Sequence, residues 1–127
     1  MTTISQLRPE HYDDVRALFA LADFGTEPEQ YNPNLTLVAL VQDTAVGFIA
    51  AWDCGQPYAF IDHFFIHPDH RSGRVGLALG YGMLALLKKR GVTWFVTPIT
   101  TELMFKIAKA SKMTTIGGAL MMQGRIE

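Results

Sequence analysis

The sequence predicts an α/β fold with a mixed, mostly antiparallel central sheet and helices on both sides. Three observations carry this reading. Two apolar, β-rich runs at residues 35–41 and 45–52 are separated only by Gln42-Asp43-Thr44, the spacing of an antiparallel hairpin. A third run, residues 58–66, follows a short turn that contains Gly55 and Pro57. Helical apolar spacing at residues 75–87 then separates this run from another at residues 92–97. A helix between two strands is the connection that parallel neighbours require.

Taken in order, residues 3–7 alternate and read as an edge strand. Pro9 suits the first turn of a helix, where its missing N–H costs nothing. Glu10, Asp13 and Asp14 complement the dipole at that end. Val15, Leu18, Phe19 and Ala22 recur at helical spacing and form the buried face. Gly25, Pro28, Asn32, Pro33 and Asn34 break the pattern, so residues 23–34 read as a loop with one helical turn at most.

The helix from Arg74 carries Val75, Leu79, Met83 and Leu86 as its core face. Gly80 and Gly82 each cost roughly 1 kcal/mol relative to Ala in a helix, which points to close packing on the sheet. Lys88-Lys89-Arg90-Gly91 ends it, with cations on the last turn and glycine at the stop. Pro98 closes the strand at residues 92–97. Thr101 as N-cap and Glu102 in the first turn predict a helix to about Lys112. Residues 113–116 and 119–123 flank Gly117-Gly118 as a last hairpin.

A chain of 127 residues, 49% apolar, predicts one domain over residues 1–127 whose core needs neither disulfide nor metal. The net charge of −1 argues against nucleic acid as the main partner, although Arg71, Arg74 and residues 88–90 are locally basic. Cys54 is the single cysteine, so no intrachain disulfide can form, which fits a reducing cytoplasm. The four histidines and Cys54 show no metal-ligand spacing, and no metal is expected. No apolar run is long enough to cross a bilayer, and residues 1–5 lack the pattern of a signal peptide. The reading is of a soluble, cytoplasmic protein.

The most specific segment is His67-Pro68-Asp69-His70-Arg71-Ser72-Gly73-Arg74-Val75-Gly76, between a strand and a helix. Strand, glycine-containing loop and helix together offer backbone N–H groups to an anion. Arg71 and Arg74 add positive charge, and a phosphate or pyrophosphate is the expected guest.

This segment resembles the acyl-CoA-binding motif of the GCN5-related N-acetyltransferases (GNAT). That motif runs from a hydrophobic residue, often through x-Pro-x-x, into Gln/Arg-x-x-Gly-x-Gly/Ala and a helix. Ile66-His67-Pro68-Asp69-His70 leads here into Arg71-Ser72-Gly73-Arg74-Val75-Gly76, with Gly76 at the final glycine and Arg74 at the first. Similar Arg-for-Gly loops occur in GNAT-like proteins of bacteriophages. The order β-α-loop-β-β-β-α-β-α-β-β is also that of the family.

The resemblance implies acetyl-CoA as co-substrate and an amine as acceptor. Ile66 and His67 then pair with the pantetheine arm as an added strand would. The backbone N–H groups of Ser72, Gly73, Arg74, Val75 and Gly76 hold the pyrophosphate, with Arg71 or Arg74 on a phosphate oxygen. Gly76, lacking Cβ, lets the backbone come close. Relatives often dimerise through their last strands. Met113, Ile116, Leu120, Met121 and Met122 make that region apolar here, so a homodimer is expected.

Amine acetylation depends chiefly on positioning, helped by a base for the ammonium and an acid for the thiolate. Asp62 is the candidate base. It interrupts an apolar strand, and it matches a catalytic Asp of some aminoglycoside 6′-acetyltransferases in the pattern Ile-Asp-x-Φ-Φ. The alternative is an Asp held by a nearby cation or backbone donor. Period two puts Phe60, Asp62, Phe64 and Ile66 on one face and His63 on the other. The family's usual acid, a Tyr on the helix after the fifth strand, is replaced by Ala108. Tyr31 and Ser111 are the possible substitutes. Glu27 and Glu29 in the loop are either attractors of a cationic amine or ordinary solvated carboxylates. The competing reading keeps the fold without catalysis, as a CoA-binding or protein-binding module.

Overall fold

The computed structural model describes residues 1–53, 57–71, 74–98, 114–116 and 121–126. The helix expected at 101–112, with Thr101, Ala108 and Ser111, lies outside the described residues. So do Cys54, Ser72, Gly73 and the hairpin tip at Gly117-Gly118.

Among the described residues seven strands form one sheet: β1 (Thr2–Gln6), β2 (Thr36–Val41), β3 (Thr44–Asp53), β4 (Tyr58–Ile66), β5 (Trp94–Pro98), β6 (Thr114–Ile116) and β7 (Met121–Arg125). Their order is β1-β2-β3-β4-β5-β7-β6. Every neighbouring pair is antiparallel except β4 and β5, which run parallel. The crossover between those two carries helix α2 (Arg74–Lys89), as parallel pairing demands.

Helix α1 (Tyr12–Ala22) continues a 3-10 turn at Pro9–His11. Its Val15, Leu18 and Phe19 pack against Leu7, Tyr31, Val38, Phe48 and Ala50 on one face of the sheet. On the opposite face α2 places Val75, Leu79, Met83 and Leu87 against Leu37, Ala39, Ile49, Ala51, Ala59, Ile61 and Phe95. Leu87 takes the buried place expected of Leu86, which is only partly buried. Removing this apolar surface from water is the main source of stability, at roughly 25 cal/mol per Å².

The ends of elements follow local rules with some substitutions. α2 stops at Gly91, whose φ is 81°, and the Val92 N–H reaches back to the Leu87 carbonyl at 3.0 Å. Asp23, φ 58°, plays the same left-handed part after α1. The β2–β3 turn is the two residues Gln42 and Asp43, both at positive φ, with Thr44 already in β3. Asp14 Oδ2 accepts the Ala45 N–H at 3.0 Å and ties α1 to that hairpin. The loop after α1 contains two 3-10 turns, Pro28–Gln30 and Pro33–Leu35. His11 is buried, and its Nδ1 accepts the Arg8 N–H at 3.1 Å.

Two close approaches fix α2 over the strands that make the site. A Cβ on Gly47 of β3 would come within 2.8 Å of Leu79 Cδ1, and one on Gly76 within 3.0 Å of Ile66 Cδ1. Gly82 meets Leu37 and Ile4 closely, whereas Gly80 faces open space and has no packing role.

Candidate active site

The β4–β5 pairing is short. Tyr58, Ala59 and Phe60 pair with Trp94, Phe95 and Val96, and no later β4 residue pairs with β5 among the described residues. On its other edge β5 stays paired with β7 throughout, from Trp94 with Arg125 to Pro98 with Met121. β4 and β5 therefore part after Phe60 and Val96. Among the described residues, the second half of β4 is thus an open strand edge on this side.

A β-bulge lies at the start of this opening. Phe48 pairs with Phe65 and Ala50 with Asp62, so His63 and Phe64 together face the single residue Ile49. His63 takes φ 55°, a conformation that L side chains rarely adopt and that costs about 1–3 kcal/mol. The bulge overturns the period-two reading of this strand. Phe64 and Ile66 pack with the α2 core, together with Ile61. Asp62 stays on the α1 face opposite Ala50, and His63 joins it there instead of facing away.

The two side chains are coupled. The His63 N–H donates to Asp62 Oδ1 at 2.8 Å, and His63 Nε2 lies 3.7 Å from Asp62 Oδ2. The other ring nitrogen, Nδ1, lies 2.6 Å from the hydroxyl of Tyr31, which lies 2.7 Å from Thr26 Oγ1. Tyr31 is buried, and burial raises its hydroxyl pKa. The Thr26 hydrogen bond pulls the other way, and the Asp62 charge adds to the rise. The hydroxyl therefore stays protonated through neutral pH. Rings surround the network: Phe24 lies 4.8 Å from His63 by centroid, and Trp52 lies 5.5 Å from Tyr31. Period-two counting missed the His63–Tyr31 pairing, because the bulge that makes it has no glycine to announce it.

Glu27 and Glu29 have a local partner. Arg16 binds Glu27 at 3.1 Å through Nε and binds Glu29 through Nη2. Arg16 also binds Asp13 at 3.2 Å, so one cation is shared among three surface carboxylates and offsets only part of their charge.

At the far end of the opening the motif residues fall in sequence. His67 donates its N–H to the Val46 carbonyl at 2.8 Å, so His67 bonds toward β3. Ile66, opposite Gly47 and one residue earlier, turns its backbone groups to the open edge. The His67 ring accepts the Asp69 N–H at 3.1 Å and caps the 3-10 turn Pro68–His70. Arg71 Nε donates to the Ile66 carbonyl at 2.8 Å, and its guanidinium lies 5.0 Å from the Phe65 ring centroid. Arg71 is thus anchored at the strand end rather than extended from the loop. Arg74 is exposed on the first turn of α2, followed by buried Val75 and Gly76. Gly76 serves packing against Ile66, since that is where its Cβ would point.

A sequence model of the acetyltransferase (GNAT) family matches residues 4–102. The chain belongs to this family. No curated protein sequence matches it. Among solved structures, this GNAT protein is similar to the ribosomal-protein-S18-alanine N-acetyltransferase from Escherichia coli, with TM-score 0.83, 15% identity, and 100% and 95% of the two chains covered. It is similar to PaiA N-acetyltransferase from Thermoplasma acidophilum in complex with coenzyme A, with TM-score 0.78, 16% identity, and 98% and 99% covered. It is also similar to an aminoglycoside 6′-N-acetyltransferase complexed with coenzyme A, with TM-score 0.84, 17% identity, and 98% and 97% covered. At these identities the likeness establishes the shared fold. Among the described residues no helix of this GNAT protein is long and apolar enough to cross a membrane, and no three His, Cys, Asp or Glu side chains gather as a metal site.

Proposed function

We propose that this GNAT protein transfers the acetyl group of acetyl-CoA to a primary amine. The observation that carries the reading is the opening between β4 and β5, with Asp62 and His63 at its start and the first turn of α2 at its end. Coenzyme A in two of the similar structures supports the same use here.

The residues present suit acetyl-CoA. Ile66 turns backbone groups to the open edge, where the amide-rich pantetheine can lie as an added strand. The N-terminus of α2 favours an anion, and Arg74 adds charge beside it. Ser72 and Gly73 complete the proposed pyrophosphate loop, with the N–H groups of Val75 and Gly76. Arg71 keeps the end of β4 in place through the Ile66 carbonyl. Asp62, on the α1 face, receives the acceptor's ammonium and holds it at the opening. A single cysteine suits a reducing cytoplasm as the place of work. Arg74 in the loop supports a phage-type member of the family.

The test is release of free thiol from acetyl-CoA with a panel of amines, both small molecules and peptides. Amine-dependent release with an acetylated product is expected. Binding of coenzyme A with no amine accepted would favour the CoA-binding module without catalysis.

A further inference from the structure

The bulge in β4 does more than open the sheet, because it turns two consecutive side chains to the same face. His63 then meets Asp62 on one side and Tyr31 on the other. The hydroxyls of Tyr31 and Thr26 and the Nδ1 of His63 form one short chain, at 2.7 and 2.6 Å. Of the two proton assignments this chain allows, the one that an ammonium between Nε2 and Asp62 selects has the His63 Nδ1–H donating to Tyr31 and the Tyr31 O–H donating to Thr26. That leaves the lone pair of Nε2 facing Asp62 Oδ2 at 3.7 Å. Two acceptors at that separation form a notch that a donor with several protons fills, and a primary ammonium is such a donor.

We propose that His63 is the catalytic base, that Asp62 holds the ammonium beside it, and that Tyr31 is a positioning residue that fixes the His63 tautomer. This rests on the acetyl-transfer reading above. The ammonium donates to Asp62 Oδ2 and to His63 Nε2. One proton passes to Nε2, giving a neutral amine and an imidazolium. The amine lone pair forms the C–N bond at the thioester carbonyl while the C–S bond breaks and its electron pair leaves on sulfur. The second amine proton ends on the thiolate through solvent, and His63 returns its own proton to water. The imidazole suits this task because, with its Nδ1–H committed to Tyr31, the Nε2 lone pair can accept a proton. The groups that face it among the described residues are Asp62 from β4 itself and, from the loop after α1, the Tyr31 hydroxyl and the Phe24 ring. The carboxylate beside the ring stabilises the imidazolium as it forms.

The experiment compares the parent with His63→Gln, Asp62→Asn and Tyr31→Phe in amine-dependent thiol release across pH. His63→Gln should lower kcat by roughly 10²-fold or more and remove the acidic limb of the kcat/KM profile. Asp62→Asn should raise the amine KM and keep that limb. Tyr31→Phe should lower kcat less, and nitrogen NMR should show the His63 tautomer changing from Nδ1–H in the parent to a mixture. That NMR signature reports the tautomer without turnover. A parent ring protonated at Nε2 overturns the proposal. So does a limb that survives His63→Gln and vanishes in Asp62→Asn, a result that leaves acetyl transfer standing with Asp62 as base. No turnover by the parent with any amine overturns both.

Discussion

The hydroxyl of Tyr31, in the loop after α1, lies 2.6 Å from Nδ1 of His63 in the fourth strand. Thirty-two residues separate them in sequence. The contact joins the loop to the strand at the point where the sheet opens, and Tyr31 packs there against Phe19, Phe48 and Trp52. The loop and the ionisable groups of the candidate site are thus one packed unit.

Removing the Tyr31 hydroxyl tests that unit. Tyr31→Phe keeps the ring and deletes hydrogen bonds to Thr26 and His63. A loss of about 1–3 kcal/mol in unfolding free energy is expected from urea titration. The stability should also depend on pH at the alkaline end. Burial raises the Tyr31 pKa in the folded state, so the folded protein holds this proton more tightly. The resulting stabilisation is full below the ordinary tyrosine range and is lost as pH rises through the raised value. Tyr31→Phe should flatten this alkaline decline.

Asp62→Asn should lower kcat/KM for the amine by roughly 10–100-fold, chiefly through a raised KM, as loss of a charge-assisted hydrogen bond to the ammonium implies. The fold should survive, because the amide oxygen can still accept the His63 N–H. Calorimetric titration with coenzyme A should give the parent's affinity.

Much of the fold was legible from the chain. The hairpin, the parallel pair and both helices follow from alternation, helical spacing and the basic, glycine-ended stop at Lys88 to Gly91. The site was legible in part. The motif pointed to the segment between β4 and α2, and the interrupted strand drew attention to Asp62. His63 was assigned to the wrong face because period two holds only while pairing is regular, and the bulge breaks it without a glycine. Gly76 was read as room for a ligand, yet its missing Cβ points to Ile66. Pairwise partners such as Arg16 with Glu27 and Glu29 come from tertiary placement, which no local pattern encodes.

The Gly76–Ile66 contact leads to a double-mutant cycle. A Cβ at position 76 would stand 3.0 Å from Ile66 Cδ1. Gly76→Ala should therefore be overpacked, and Ile66→Val, which removes that methyl, should relieve it. A coupling of about 1 kcal/mol is expected from thermal or urea unfolding of the four proteins.

The sheet ends on β6, beyond β7. We propose that this end forms the interface of a homodimer, since the sequence there carries Met113, Ile116, Leu120, Met121 and Met122. Sedimentation should give a dimer at micromolar concentration, and Met121→Glu should shift it toward monomer. A monomer at high micromolar concentration would remove the proposal.

The most direct test of the whole account is a crystal structure with coenzyme A. The pantetheine arm should lie along the open edge of β4 beside Ile66, with the pyrophosphate at the first turn of α2 near Arg74. The thiol should then reach the opening where Asp62 and His63 stand. Coenzyme A bound with its thiol away from that opening, or with its pyrophosphate away from α2, would contradict the account.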